Sequence, residues 1–140
     1  MNRGKDLWLA KTIYYITQNN IMTLEKVIGI LGAEVVATTA DMGTEISSVC
    51  SSDLMSDLLH FSTTPKSLLV TGLINKQVVR TAEIADIKAI AFVLDKRPDE
   101  ETIEMARQKG IVLIVTRFSR YTACGRLYAE GLRSCTGEDR

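Results

Sequence analysis

The sequence predicts an α/β domain, a small three-layer-like sandwich with a mainly parallel sheet and helices on its faces. Two observations carry that prediction. Ser67–Thr71, Lys88–Leu94 and Ile111–Thr116 are continuous apolar runs rather than alternating ones, as expected of strands covered on both faces. Amphipathic segments over Lys76–Asp86 and Glu100–Lys109 lie between them, and each crossover is long enough for a right-handed parallel β-α-β unit.

Composition narrows the function classes. A chain of 140 residues fits one domain with a single core. Its 17 basic and 17 acidic residues balance, so the basic excess of a nucleic-acid footprint is missing. Aromatic residues make up 6%, too few for a base-stacking platform. No apolar run approaches the roughly 18 residues that span a bilayer. Cys50, Cys124 and Cys135 form no C-x-x-C pair. Their odd count and wide spacing predict reduced thiols in a cytoplasm rather than a disulfide framework. Cys50 and Cys124 read as small buried hydrophobes, and Cys135 as an exposed bystander.

Residues 1–21 form an N-terminal extension. Lys5–Ile16 can make an amphipathic helix capped near Asp6, and it holds the single tryptophan, Trp8. Lys11 interrupts a secretory h-region and no small-residue cleavage site follows, while the basic excess is small for a membrane-surface helix. The expectation is an extension that packs on the domain or a partner, or a start codon placed too far upstream.

Thr23 caps a short helix with Leu24, Val27, Ile28 and Leu31 on one face, and Gly32 supplies its left-handed stop. Glu34–Thr38 reads as a β-branched strand, and 39–43 as a turn. Ser47–Leu59 reads as a short strand running into a helix. Ser52 or Asp53 caps that helix, and Leu54, Leu58, Leu59 and Phe61 continue its apolar face. Pro65 breaks the chain before the first apolar run. Pro98 suits the first turn of the acidic helix, and Gly110 ends it. Ser119 or Thr122 caps a last helix through Tyr128, closed by Gly131. Residues 133–140 are polar and expected to fray.

Ser52-Asp53-Leu54-Met55-Ser56-Asp57 resembles the Ser-Asp-Leu-Leu-Ser-Asp helix start in the signature of the DRTGG domain. Ser47-Ser48-Val49 stands where that family has Thr-Gly-Gly. Ser67–Thr71 with Asn75, then Lys88–Leu94 with Arg97–Ile103, resemble its next two strands and turns. Thr116–Tyr121 and Gly125–Leu132 resemble its closing helix. The resemblance covers 22–132 and extends to the N-terminal domain of HPr kinase/phosphorylase and to domains within phosphate acetyltransferases and CBS-containing pyrophosphatases. The active sites of those proteins lie in other domains. What it implies is a stand-alone, non-catalytic regulatory or interaction module, cytoplasmic and dimeric. Such a module binds a partner protein, such as a regulated enzyme, or a small anionic ligand. The alternatives are a nucleotide-sensing domain and a small phosphotransfer or hydrolytic enzyme.

The residues themselves supply little catalytic chemistry. No G-x-x-x-x-G-K-[ST] phosphate loop is present, and Gly29-Ile30-Leu31-Gly32 is an apolar helix end. His60 is the single histidine, without a cysteine at ligand spacing, so no metal site is expected. Ser52, His60 and Asp57 could be drawn as a triad, but nothing in the sequence positions them.

The remaining signal is a crevice beyond the strand ends, where helix N-termini present unpaired N–H groups. Its candidate residues are Ser52, Asp53, Thr71, Asn75, Thr116, Arg117 and Ser119. Arg117 offers charge and the hydroxyls offer hydrogen bonds to a nucleotide or other phosphorylated small molecule; no cofactor is expected. Equally, these residues can simply cap helices and satisfy turns. Asp53 repels an anion unless it points away.

Overall fold

The computed structural model describes residues 4–10, 21–39 and 43–138. Residues 4–10 are helical (α1); the rest of the expected N-terminal helix, 11–16, lies outside the described residues, as do 40–42 of the expected turn. The chain continues through β1 (Met22–Thr23), α2 (Leu24–Leu31), β2 (Glu34–Ala37), β3 (Glu45–Ile46), β4 (Ser48–Ser51) and α3 (Met55–Leu58). It then alternates through β5 (Ser67–Thr71), α4 (Lys76–Ile84), β6 (Ala89–Phe92), α5 (Glu100–Gln108), β7 (Val112–Val115), α6 (Arg120–Ala129) and β8 (Arg133–Ser134).

The main sheet has six strands in the order β2-β7-β6-β5-β4-β8. Every neighbouring pair is parallel except β2–β7, which is antiparallel. β1 and β3 form a separate antiparallel pair. They are two residues each, too short for any periodicity to announce them.

Side chains alternate across the sheet, so one strand feeds two cores. Leu68, Val70, Ala91, Val112 and Ile114 pack with Leu24, Val27 and Leu31 of α2 and Ala123 and Leu127 of α6. Leu69, Ile90, Phe92, Leu113 and Val115 pack on the other face with Leu58 of α3, Val78, Val79 and Ala82 of α4, and Ala106 of α5. The result is the three-layer α/β sandwich that the apolar runs predict. Each fully buried Leu, Ile or Phe contributes about 1.5–3 kcal/mol relative to exposure. Among the described residues no helix is long and apolar enough to cross a membrane.

Local signals fixed most helix ends. Thr23 Oγ1 accepts from Lys26 N at 3.2 Å, and Gly32 is left-handed with φ 53°. Asn75, Asp99 and Ser119 each accept from the N–H three residues on. Pro98 stands just before the Asp99 cap rather than inside the helix. α3 departs further: its N-cap is Leu54, without a side-chain bond, so neither Ser52 nor Asp53 caps it. Leu54 and Leu59 are exposed, leaving Leu58 as the buried anchor. A helix this short has no room for the broad apolar stripe expected of it.

The C-terminal segment corrects three expectations. Arg133 and Ser134 do not fray; they pair with Ser48 and Val49 as β8. Cys135 is buried, and Cys50 and Cys135 are joined as a disulfide with Cα atoms 5.5 Å apart. The cysteines are therefore not all reduced thiols, and Cys135 is no bystander. The cause is topological. Parallel pairing carries the chain along β4, where Cys135 N donates to Val49 O at 3.1 Å, and a sequence separation of 85 residues gives no sign of it. Cys124 is free and half-buried.

Closing so long a loop restricts the unfolded chain, which is ordinarily worth about 2–4 kcal/mol. Reduction should lower the melting temperature by on the order of 10 °C. A non-reduced proteolytic digest should show the Cys50 and Cys135 peptides linked. A digest with all thiols free, or an unchanged midpoint on reduction, would contradict the bond.

Candidate functional site

Because β4, β5, β6 and β7 are parallel, their C-terminal ends and the following loops share one edge of the sheet. There the backbone leaves the ladder and must find other partners. Asp53, in the loop after β4, supplies them. Its Oδ1 accepts from Thr71 Oγ1 at 2.9 Å and Gly72 N at 2.9 Å, and lies 2.8 Å from Arg120 Nη1. One carboxylate oxygen thus ties the β4–α3 loop, the β5–α4 loop and the start of α6.

Electrostatics agree with that geometry. Partial burial pushes the Asp53 carboxyl up. The Gly72 N–H, the Thr71 hydroxyl and the charge and hydrogen bond of Arg120 outweigh it and hold the group below the usual aspartate range.

The other candidate residues serve the same edge differently. Ser52 Oγ bonds within its own turn, accepting from Leu54 N at 3.0 Å and donating to Leu54 O at 3.2 Å. Asn75 and Ser119 cap α4 and α6 at 3.3 and 3.2 Å. Thr116 is fully buried: its hydroxyl donates to Leu31 O at the end of α2, at 2.7 Å, and accepts from Phe118 N at 3.2 Å. Arg117 is exposed. The edge therefore brings Asp53 and Thr71 into direct contact, while Ser52, Asn75, Thr116 and Ser119 are engaged in local turns and caps. The residues that sequence reasoning missed are Gly72, as a backbone donor, and Arg120. A signal for Arg120 existed: a cation in the first turn of a helix opposes the helix dipole, and so calls for a carboxylate partner.

Two further features mark this edge. Leu94 and Asp95 hold left-handed φ values of 58° and 54°, a conformation that costs a non-glycine residue about 1–2 kcal/mol. The strain is held by hydrogen bonds, since Leu94 N donates to Phe118 O and Asp95 N to Thr116 O, both at 2.9 Å. Lys96 is exposed, with Nζ 3.5 Å from Gly72 O. Arg97 is committed elsewhere, to Glu34 at 2.6 Å and Asp95 at 3.2 Å, and its hydrogen bond and charge hold the Glu34 carboxyl below its ordinary range.

Chemically, a hydroxyl, a backbone N–H and a guanidinium converging on one oxygen is an anion cradle, and here the chain's own carboxylate fills it. His60 is exposed. Among the described residues, no group of His, Cys, Asp or Glu side chains could hold a metal ion.

No protein-family model and no curated protein matches the sequence. Among solved structures, the chain is similar to the CBS and DRTGG domains of the regulatory region of Clostridium perfringens pyrophosphatase, complexed with its activator diadenosine tetraphosphate. Identity is 17% and the TM-score 0.63, over 83% of this chain and 48% of that one. The likeness shows the fold, that of a DRTGG-like α/β domain, and the chain spans less than half the length of that structure.

Since its native pKa is depressed, Asp53 stabilises the fold fully above the unfolded aspartate value, near pH 4. That contribution is lost as pH falls through the lower, folded value. Wild type should be more stable than Asp53→Asn at neutral pH in urea unfolding, and the gap should close as the pH drops below about 4. A gap that stays constant through that window would contradict the three-way bond.

Proposed function

We propose that this chain is a non-catalytic regulatory module of DRTGG type whose strand-end edge responds to a phosphorylated, nucleotide-like anion. The observation that carries the proposal is the Asp53 node, in which Thr71, Gly72 and Arg120 converge on one carboxylate oxygen. A phosphate oxygen offers the same donors the same chemistry with more charge. Arrival of such a ligand displaces Asp53, with exposed Arg117 and Lys96 adding positive charge at the rim. The loop holding Ser52 and Asp53 is then released from α6 and the β5–α4 loop. That release is the signal a partner enzyme reads. Support from likeness is limited to the fold: the similar pyrophosphatase region was captured with a nucleotide activator. A homodimer belongs to the same proposal, with Leu7, Trp8 and Leu9 of α1, all more than half exposed, as the surface it covers.

The test is thermal shift with ATP, diadenosine tetraphosphate, cyclic dinucleotides, acetyl phosphate and sugar phosphates. A ligand at a hundred times its dissociation constant stabilises by about 2.7 kcal/mol, which moves the midpoint several degrees. At least one compound should do so in wild type. Asp53→Asn, lacking the competing charge, should bind it more tightly, and Arg117→Ala more weakly. Silence from every compound in both wild type and Asp53→Asn would rule out an anion site at this edge. Light scattering of the same samples should give a dimer mass, and a monomer at all concentrations would remove that part of the proposal.

A further inference from the structure

A different polar feature lies at the outer edge of the sheet. β8 pairs only with Ser48 and Val49 of β4. Alongside Cys50 and Ser51, beyond that pairing, is a cavity of about 480 Å³, within the range of small-molecule pockets. Phe61 and Tyr128 give it aromatic walls, the Cys50–Cys135 disulfide and Cys124 contribute sulfur, and Arg133 lines it as well. Neither Asp53 nor Arg117 does, so the cavity is independent of the strand-end node.

Arg133 is the unusual member. It is only 9% exposed, and a guanidinium keeps its charge under all ordinary conditions. Nη1 donates to Tyr128 O at 3.0 Å and Leu132 O at 3.2 Å, and the guanidinium carbon lies 4.0 Å from the centroid of the Tyr128 ring. Those contacts compensate the charge in part, through one carbonyl of the last turn of α6, one just before β8, and the ring face. Nε is buried without a hydrogen-bond partner. Glu138, the carboxylate in the lining, is exposed and forms no ion pair with Arg133 among the described residues. Buried charges are ordinarily paired, and among the described residues no carboxylate pairs with this one.

We propose that the cavity binds a small organic anion, a carboxylate or phosphate monoester carrying an apolar body. The anion pairs with Arg133, and the apolar body occupies the region walled by Phe61 and Tyr128. A purely structural arginine, by contrast, would only tie down the end of α6 and bind nothing.

Cys124 provides a local reporter, because it lines the cavity and is the free thiol when the disulfide is closed. The experiment is its alkylation by N-ethylmaleimide, without reductant, in the presence of benzoate, phenyl phosphate or inorganic phosphate. Saturating benzoate or phenyl phosphate should slow alkylation at least tenfold. Inorganic phosphate, lacking the apolar body, should protect far less. Arg133→Gln should abolish protection and Arg133→Lys, which keeps the charge, should retain part of it. An unchanged rate with all three probes in wild type would overturn the proposal, and this arm needs no variant to fold. Protection that survives in a folded Arg133→Gln would overturn it too, and equal protection by inorganic phosphate would overturn the apolar requirement.

Discussion

Strands β5, β6 and β7 bury every side chain they carry, so helices must cover both faces of the sheet at once. Short hairpins cannot do that; crossover helices can, and they force the strands parallel. Parallel strands in turn send all their C-terminal ends, and the helix N-termini that follow, to one edge. The convergence of Asp53, Thr71, Gly72 and Arg120 is a consequence of that constraint. Residues from the β4–α3 loop, the end of β5 with its following loop, and the start of α6 meet there because the sheet sends all of them to one edge.

At that edge the polar groups left over where the ladder ends need partners, and the chain provides them internally. Thr116 reaches across to the last turn of α2, Leu94 and Asp95 accept left-handed backbone to bond the following loop, and Asp53 gathers the rest. The Asp53 side chain at the centre of this edge is about half exposed, so this node lies open to solvent.

Much of this architecture was legible in the sequence, and particular residues show why. The runs around Leu69, Ile90 and Leu113 are apolar on both alternations, which only a two-sided strand requires. Thr23, Asn75, Ser119 and Gly32 announce helix ends through local chemistry that acts within four residues. The misses are non-local. Nothing near Cys135 indicates that β8 will lie along β4 and bring it to Cys50. Nothing near Arg120 names Asp53 as its partner, across 67 residues of chain. The short helix after Asp53 was misread because its Ser-Asp pair looks like a cap, while the carboxylate is drawn away by donors from the neighbouring loop. Of the candidate site, residue types and edge were readable; which of them touch was set by the fold.

The most direct measurement is an NMR pH titration that follows the Asp53 carboxyl carbon and the Gly72 amide proton together. An amide that donates to a carboxylate shifts when that carboxylate protonates. Both signals should move with one common midpoint, below the ordinary aspartate value of about 3.9. A Gly72 amide indifferent to that titration, or an Asp53 that titrates at or above the ordinary value, would show that the carboxylate does not fill the cradle.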